Sequence, residues 1–327
     1  MKTFRTRRWS LLAFALLLCA AGALFWRISQ SPRHRMYHPP NDQVAIPTDA
    51  ASIARGKHLV EAVAVCTICH GANLGGKLAF QDSFLGRGYT SNLTSGRGGV
   101  GRTYSNADWI RSIRYGVRPD GHGILFMPSD YFNKITDADI GAIIAYLKSL
   151  PPIDNTRTRV EIRLPARLLI DLGTFGDVVR AAKIDFQAPR PKPPDNEGKY
   201  LVDVGGCTFC HGADLAGGQG PEPGAPAGTN LTRGGPLSRW SLPDFTSTMR
   251  NGVDPAGHAI DPKYMPWLGY RNMSDDELQA IWQYLRSLPA RKPYRGKRYR
   301  SLAVAAQLRF SKVRGVRAGH WSRVNIA

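Results

Sequence analysis

A five-residue pattern, Cys-x-x-Cys-His, occurs twice in the chain, at residues 66–70 and 207–211. Two cysteines three positions apart lie on one helical turn and can each form a thioether with a haem vinyl group, and the histidine that follows can bind the iron. A single Cys-x-x-Cys could also be a redox dithiol or half of a zinc site. Two copies, each followed by His and then Gly, favour two covalently attached haem c groups. The predicted cofactor-binding residues are Cys66, Cys69, His70, Cys207, Cys210 and His211.

The net charge of +19 is carried by the two ends of the chain. Residues 1–35 hold seven Lys/Arg and no acid, and residues 290–327 hold eleven and no acid. Subtracting these 7 and 11 charges from +19 leaves +1 for residues 36–289. The body that carries the motifs is nearly neutral, which argues against nucleic acid as a partner.

The N-terminus has the features of an export signal. Four basic residues precede an apolar run over 11–26, the order typical of a signal peptide. Ala21-Gly22-Ala23 offers a cleavage site, but residues 24–26 continue the run, whose length is close to the minimum for a membrane span. A cleaved signal and an uncleaved inner-membrane anchor over 9–26 both remain open. Either places the rest of the chain on the periplasmic side, where bacteria attach c-type haem.

The second half of the chain repeats the first. Residues 198–202 match 56–60, and the turn-rich stretch 252–258 matches 116–122. The offset is 141 residues at the first cysteine of the motif and 138 at a later Met-Pro pair. Offsets this similar indicate a tandem duplication with small insertions or deletions.

The Met-Pro pairs supply candidates for the sixth iron ligand. Met127 lies 57 residues after His70, and Met265 lies 54 residues after His211. A methionine thioether in this position raises the reduction potential, because a soft neutral ligand favours ferrous iron. A lone methionine is usually core filler, but the repetition favours Met127 and Met265 as iron ligands together with the two motif histidines.

Other candidate ligands are less favoured. His122 and His258 recur a few residues before the methionines and are the rival sixth ligands, although hydrogen bonding within their turns is the preferred interpretation. Met273 has no methionine counterpart in the first half and is expected to pack in the core. His58 is matched by Tyr200 and is therefore not expected to bind iron.

Local patterns predict helices separated by loops. A first helix is capped near Asp49 and leads to the first motif, a short helix covers 108–115, and a last helix follows a capping box at Thr136 and Asp139. The glycine-rich region 71–101 is expected to be loop-like, and Asn-Leu-Thr at 92–94 and 230–232 to have a structural role near the haem edge. Between the copies we expect a short strand over 157–164, a helix over 168–182 and a proline-rich hinge over 189–194.

Each half resembles a class I cytochrome c domain, with a glycine-containing first helix, Cys-x-x-Cys-His, a glycine-rich loop, a Met-Pro loop and an apolar last helix. The resemblance implies a mainly α fold with a few helices around each haem. It also implies that the first and last helices cross where Gly56 meets Tyr146 and Leu147, and where Gly198 meets Tyr284 and Leu285. The arrangement resembles di-haem cytochromes and the cytochrome subunits of membrane-bound alcohol and sugar dehydrogenases. The expected segments are a signal peptide or anchor (1–27), a tether (28–47), domain 1 (48–152), a connector (153–194), domain 2 (195–289) and a basic tail (290–327).

The function expected from these features is electron transfer without catalysis. Two haems with His and Met ligands leave no open iron position, which suits a carrier between a dehydrogenase and another cytochrome or terminal oxidase, with no small-molecule substrate. The alternative is a di-haem cytochrome c peroxidase, which needs one exchangeable iron site. The basic tail is either a solvated extension or a docking element for anionic lipid or an acidic partner.

Overall fold

Helices are the main regular secondary structure of the described residues. The computed structural model describes residues 2–157, 159–220 and 225–294. Its α-helices are α1 (Lys2–Ser29), α2 (Ala50–His58), α3 (Cys66–His70), α4 (Asn106–Tyr115), α5 (Ser129–Phe132), α6 (Asp137–Ser149), α7 (Leu164–Asp171), α8 (Glu197–Val204), α9 (Thr208–His211), α10 (Leu242–Asn251), α11 (Trp267–Tyr270) and α12 (Asp275–Ser287). Its strands are β1 (Leu78–Asp82), β2 (Gly86–Tyr89) and β3 (Val160–Ile162).

The chain divides into two compact units that do not follow the boundaries of the sequence repeat. Among the described residues, the first unit comprises 2–207 and 240–287, and the second comprises 208–239 and 288–294. The first unit therefore holds most helices of both copies. The second holds α9, the loop after it and the segment that follows α12.

The first and last helices of each copy cross at a glycine. A Cβ on Gly56 would overlap the carbonyl oxygen of Ala142, and a Cβ on Gly198 would overlap that of Ala280. Only glycine lets two backbones approach this closely. The atoms nearest to a Cβ on Gly56 belong to Ala142 and Ile143, and the expected contact of Gly56 with Tyr146 and Leu147 stays a prediction.

Tyr146 makes a hydrogen bond to the segment between α2 and α3. Its hydroxyl donates to Glu61 at 3.2 Å. In the second copy, Gly198 also approaches the Cβ of Tyr284, so that part of the expected contact is confirmed there. The register of the two crossings is the same, because Ala142 and Ala280 stand at equivalent positions of the repeat.

Predicted helix boundaries and faces are largely confirmed. Asp49 caps α2 by accepting from the backbone of Ser52 at 2.9 Å, and a π-helical turn over Leu59–Val63 continues α2 toward the first motif. The predicted apolar face of α6 is buried, with Ile140, Ile143, Ile144 and Leu147 at most 4% exposed. The equivalent residues Leu278, Ile281 and Leu285 of α12 are buried as well.

Two expectations about the loops are wrong. The region 71–101 contains an antiparallel hairpin of β1 and β2, and β3 from the connector adds to it in the order β1-β2-β3. The strand expected over 157–164 is thus confirmed as β3. The helix expected over 168–182 instead occupies Leu164–Asp171, since Pro165 suits the first turn of a helix and Gly173 adopts φ +80° soon after α7 ends.

The N-terminal helix α1 is long and apolar enough over Leu12–Ser29 to cross a membrane, judged by length and composition alone. Directly after it, a short 3-10 turn covers Pro32–His34. At the other end of the chain, most of the predicted basic tail, residues 295–327, lies outside the described residues.

Candidate haem-binding sites

The first motif forms the short helix α3, entered through a left-handed residue. Val65 has φ +43°, and Gly71 ends the helix at φ +84°. Cys66 and Cys69 are both free thiols. Burial raises the pKa of Cys66 to about 12 and also raises the pKa of Cys69. A redox dithiol depends on a reactive thiolate, which this environment does not favour.

The two motif histidines are oriented in the same way by the backbone. The Nδ1 atom of His70 lies 2.8 Å from the carbonyl oxygen of Ser91, and Nδ1 of His211 lies 2.7 Å from that of Thr229. Donation from Nδ1 puts the lone pair on Nε2, the form that binds a metal. Burial lowers the pKa of both histidines despite these hydrogen bonds, so each ring is held neutral.

The loop after each histidine has the same unusual backbone. Leu74 has φ +59° and Leu215 has φ +58°, although both are non-glycine residues, and both are at most 3% exposed. Gly71 and Gly212 precede them at φ +84° and +80°. Strained residues persist only where the surroundings hold them, so the loop is shaped around the motif in both copies.

The two Asn-Leu-Thr sequences stabilise the loops whose carbonyl groups, at Ser91 and Thr229, accept the hydrogen bonds of the motif histidines. Asn92 follows Ser91 directly, accepts from the backbone and hydroxyl of Thr94 at 2.9 and 2.8 Å, and donates to Ile153 at 2.7 Å. The expected structural role is confirmed, because Asn92 is 0% exposed and cannot be reached by a glycosylating enzyme.

The second copy repeats this arrangement. Asn230 follows Thr229, accepts from the backbone and hydroxyl of Thr232 at 2.9 and 2.7 Å, and donates to the carbonyl of Arg291 at 2.9 Å. The sequence did not single out Ser91 and Thr229 as partners of the motif histidines. Their position immediately before a repeated buried Asn-Leu-Thr was the available signal.

The prolines of the two Met-Pro pairs have nearly the same backbone conformation, but the residues before the methionines differ, because Phe126 adopts φ +63° and Tyr264 has no positive φ. Pro128 has φ −81° and ψ 52°, and Pro266 has φ −79° and ψ 48°. Met127 and Met265 are half-buried. A short helix follows each pair, α5 in the first copy and α11 in the second. Each methionine is thus followed by the same turn into a short helix, whereas the loop that leads to it is built differently in the two copies.

Two of the less favoured ligand candidates, His258 and His58, have other partners. Nδ1 of His258 lies 3.0 Å from Asp254, with the histidine side chain 78% exposed. Nδ1 of His122 lies 3.5 Å from Asp120 and is buried without a hydrogen-bond partner. His58 Nε2 lies 2.7 Å from Glu277. Met273 is 3% exposed, in agreement with its expected packing role.

Within the first unit, the segment before each motif packs against the helix after the Met-Pro pair of the other copy. Gly206 lies against the ring of Tyr131, since an added Cβ would be 3.5 Å from two ring carbons. A Cβ on Gly269 would overlap Cγ1 of Val65. Tyr131 and Gly269 are equivalent in the repeat, as are Val65 and Gly206. The two contacts are therefore related by an approximate twofold exchange of the copies.

Charged residues join the two copies beside these contacts. Arg55 donates to Asp139 at 3.1 and 3.2 Å and reaches Glu277 at 3.4 Å. The hydroxyl of Tyr200 donates to Asp139 at 2.6 Å. Asp139 does not complete the capping box expected at the start of α6. Thr136 accepts from its backbone N–H, while its carboxylate accepts from Arg55 of the same copy and Tyr200 of the other.

The residues of both motifs fit a covalently bound haem. Each supplies two thiols and a neutral imidazole whose Nδ1 is already committed to a carbonyl oxygen. Among the described residues, no group of three or more His, Cys, Asp or Glu side chains converges to hold a metal ion by itself. This donor set suits attachment of a prosthetic group better than a metal ion held by protein ligands alone.

The cytochrome c family model matches residues 53–151 and 196–289. The chain belongs to the cytochrome c family. Both matches contain one Cys-x-x-Cys-His motif and one Met-Pro pair. The expected fold class of two tandem cytochrome c domains, mainly α, is confirmed, and such domains bind haem c covalently.

Curated relatives include subunits of dehydrogenases. The chain is 28% identical over 282 residues to the fructose dehydrogenase cytochrome subunit of Gluconobacter japonicus, covering 77% of this chain and 56% of the relative. It is 29% identical over 276 residues to the cytochrome c subunit of the quinone-dependent alcohol dehydrogenase of Gluconacetobacter polyoxogenes, covering 76% and 58%. A diheme cytochrome c-type protein of Cereibacter sphaeroides is 27% identical over 200 residues, covering 56% and 66%. The chain thus spans little more than half the length of the two dehydrogenase subunits.

Proposed function

We propose that the chain is a two-haem electron relay that accepts electrons from a dehydrogenase and delivers them to a second redox protein at the periplasmic face of the inner membrane. Cys66, Cys69 and His70 hold one haem and Cys207, Cys210 and His211 the other, with Met127 and Met265 as the sixth ligands. Helix α1 is retained as the membrane anchor. The names of the dehydrogenase subunits above support the class of donor.

The observation that carries the proposal is the reciprocal contact between the copies. Cys66 directly follows Val65, which packs on Gly269, and Cys207 directly follows Gly206, which packs on Tyr131. A thioether ties the haem edge to its cysteine, so each attachment point is next to the other copy's Met-Pro helix. This arrangement suits transfer between the two sites better than two independent carriers.

When bound, each haem c supplies a one-electron ferric/ferrous couple. The protein contributes the rest. Ser91 and Thr229 hold the histidines in the ligating tautomer, and the loops at Leu74 and Leu215 fix the segment beside them. The Met-Pro loops present a thioether that favours the reduced state.

The peroxidase alternative requires one copy to differ from the other at the sixth ligand. Both copies carry Met-Pro at the equivalent position, and the two prolines agree in φ and ψ within a few degrees, which favours two closed sites. We therefore expect that the protein does not reduce peroxide when a reduced electron donor is supplied.

The first experiment is an optical redox titration of the detergent-extracted full chain, with haem counted per chain. We expect two haems, both with the ferric iron–methionine charge-transfer band in the red region. One haem per chain, or one high-spin haem together with peroxide turnover, contradicts the proposal. Replacing Cys66 and Cys69 by serine should remove one haem only, and Cys19→Ser should remove none.

A second experiment tests the relay itself. In Met265→His the second site is expected to have a lower potential, so that an electron placed there by a photosensitiser should move to the first. We expect a first-order phase whose rate is independent of protein concentration. Tyr131→Ala, which loosens the contact at Gly206, should slow this phase, whereas the exposed substitution Lys263→Ala should not. A rate proportional to protein concentration excludes the relay.

A further inference from the structure

We propose that helix α7 of the connector, together with the tip of the β1-β2 hairpin, lies in the surface layer of the membrane bilayer. We call its exposed apolar side chains, Phe84, Leu164, Leu168 and Phe175, the connector patch. The inference rests on the proposed function in one respect only, the retention of α1 as a membrane anchor.

The end of the anchor is attached to the end of α7. Arg33 binds Asp171, the last residue of α7, through two hydrogen bonds of 2.9 and 2.7 Å. The hydroxyl of Ser31 hydrogen-bonds to the same carboxylate. Asp171 and Ser31 are 3% and 1% exposed. A buried bidentate ion pair of this kind is strong and directional, so the junction is built into the fold.

This attachment determines how far α7 can lie from the hydrocarbon core. The apolar segment ends at Ser29, and Ser31 is two residues further on, at most about 7 Å along an extended chain. The polar layer of a bilayer is roughly 5–8 Å thick on each side. With eight residues, α7 is about 12 Å long. The C-terminal end of α7 is therefore held at the depth of the headgroups.

The face that α7 turns away from the protein is apolar. Ala166 and Ile170 are buried at 0% and 3%, whereas Leu164 and Leu168 are 64% and 39% exposed. Residues two apart on a helix are about 200° apart around its axis, so the leucines lie opposite the buried pair. A soluble surface would normally carry polar residues there.

Two aromatic rings extend the apolar surface beyond the helix. Phe84, in the turn between β1 and β2, stacks on Phe175 with ring centroids 6.5 Å apart, and both rings are more than 40% exposed. Arg163, at the start of α7, donates to the carbonyl of Ser83 at 2.6 Å and fixes the hairpin tip beside the helix. Aromatic and leucine side chains are typical of surfaces that enter the headgroup boundary.

The charges around the patch, at the depth that the anchor sets, match an anionic lipid surface. Residues 157–168 contain four arginines and one acid, a net charge of +3. The arginines are Arg157, Arg159, Arg163 and Arg167, all exposed. Basic residues flanking exposed apolar side chains at the depth of the headgroups match anionic phospholipid.

The test is photolabelling of the full chain in vesicles of phosphatidylethanolamine and phosphatidylglycerol that carry a diazirine on the acyl chain. Labelled peptides are mapped by mass spectrometry. We expect labels in α1 and also in residues 164–175 and around Phe84. In Leu164→Glu/Leu168→Glu, labelling of 164–175 should fall at least tenfold while that of α1 is unchanged. Val253→Glu, at a residue that is 41% exposed in the second copy, is the matched control and should change neither.

The outcomes separate this inference from the proposed function. Labels in α1 alone overturn the inference and leave the anchor in place, in which case the patch is available to a protein partner. A chain that is neither labelled in α1 nor sedimented with the vesicles overturns the anchor and the inference with it. The wild-type labelling pattern decides the matter even if the double variant folds poorly.

Discussion

The ring of Tyr131 covers the backbone of Gly206 at the junction of the two copies, where an added Cβ would lie 3.5 Å from the ring. At the equivalent contact the sizes are exchanged, and Gly269 makes room for Val65. A larger side chain thus faces a glycine at both contacts. The glycine lies before the motif at one contact and on the helix after the Met-Pro pair at the other. Such complementary pairing allows two initially identical surfaces to pack closely.

We expect Gly269→Ala to weaken this junction, because the new Cβ would overlap Cγ1 of Val65. The cost should be about 1–3 kcal/mol in the free energy of unfolding, as for other overpacked contacts. Adding Val65→Gly should recover much of it, since glycine clears the space and tolerates the left-handed φ of +43° at that position. Urea denaturation of the single and double variants measures both effects, and equal loss in both variants would show that the overlap is not the cause.

Gly56→Ala should destabilise the first domain far more than a substitution at the neighbouring exposed position. Its Cβ would overlap a carbonyl oxygen of α6, and backbone cannot move aside as a flexible side chain can. We expect a loss of roughly 3 kcal/mol or more, visible as a lower thermal midpoint of the first domain. Lys57→Ala, at the exposed neighbouring position, is the control and should change stability by less than about 0.5 kcal/mol. Similar thermal midpoints for Gly56→Ala and Lys57→Ala would contradict the close crossing of α2 and α6.

The junction should weaken on acidification. Burial raises the pKa of Glu277, but the hydrogen bond from His58, the backbone N–H of Ser274 and the charge of Arg55 outweigh it, so that the pKa lies below its ordinary value of 4.5. A lowered carboxyl pKa contributes stability above the ordinary value, and that contribution is lost as the pH falls below 4.5 through the folded-state pKa.

The variant Glu277→Gln tests this pH dependence. At pH 7 we expect a loss of about 1–2 kcal/mol, because the partners are partly exposed and the pair is weaker than a fully buried one. The difference from wild type should shrink as the pH falls below 4.5. Asp276→Asn, at the exposed preceding residue, is the control and should change stability at pH 7 by less than about 0.5 kcal/mol. A pH-independent difference for Glu277→Gln would rule out the carboxylate as its source.

Replacement of either Met-Pro methionine should change one haem and not the other. Met127→Leu and Met265→Leu each remove the thioether sulfur and keep an apolar side chain of similar size. Each should abolish half of the iron–methionine charge-transfer band and lower one midpoint potential by roughly 0.1 V or more, within the ~0.8 V range that axial ligands span. Met273→Leu, at a buried methionine, should leave both unchanged. An intact band in Met127→Leu or Met265→Leu would return His122 or His258 to consideration.

The sequence by itself determined the features that depend on neighbouring residues. The two Cys-x-x-Cys-His motifs, the cap at Asp49 and the apolar faces of α6 and α12 follow from spacings of three and four residues, and duplication made each pattern visible twice. The family and the tandem architecture were accessible for the same reason, because covalent haem attachment requires a fixed local sequence.

Only the tertiary structure decided the features that join residues far apart in the chain. The hairpin of β1 and β2 is rich in glycine and charge and has no apolar alternation to reveal it; it exists because β3, some 70 residues later, pairs with it. The partner of Asp139 could not be read from its capping position, because Arg55 and Tyr200 approach it from other elements. The contact of Tyr131 with Gly206 and the ion pair of Arg33 with Asp171 likewise depend on long-range packing, for which one sequence carries no periodic signal.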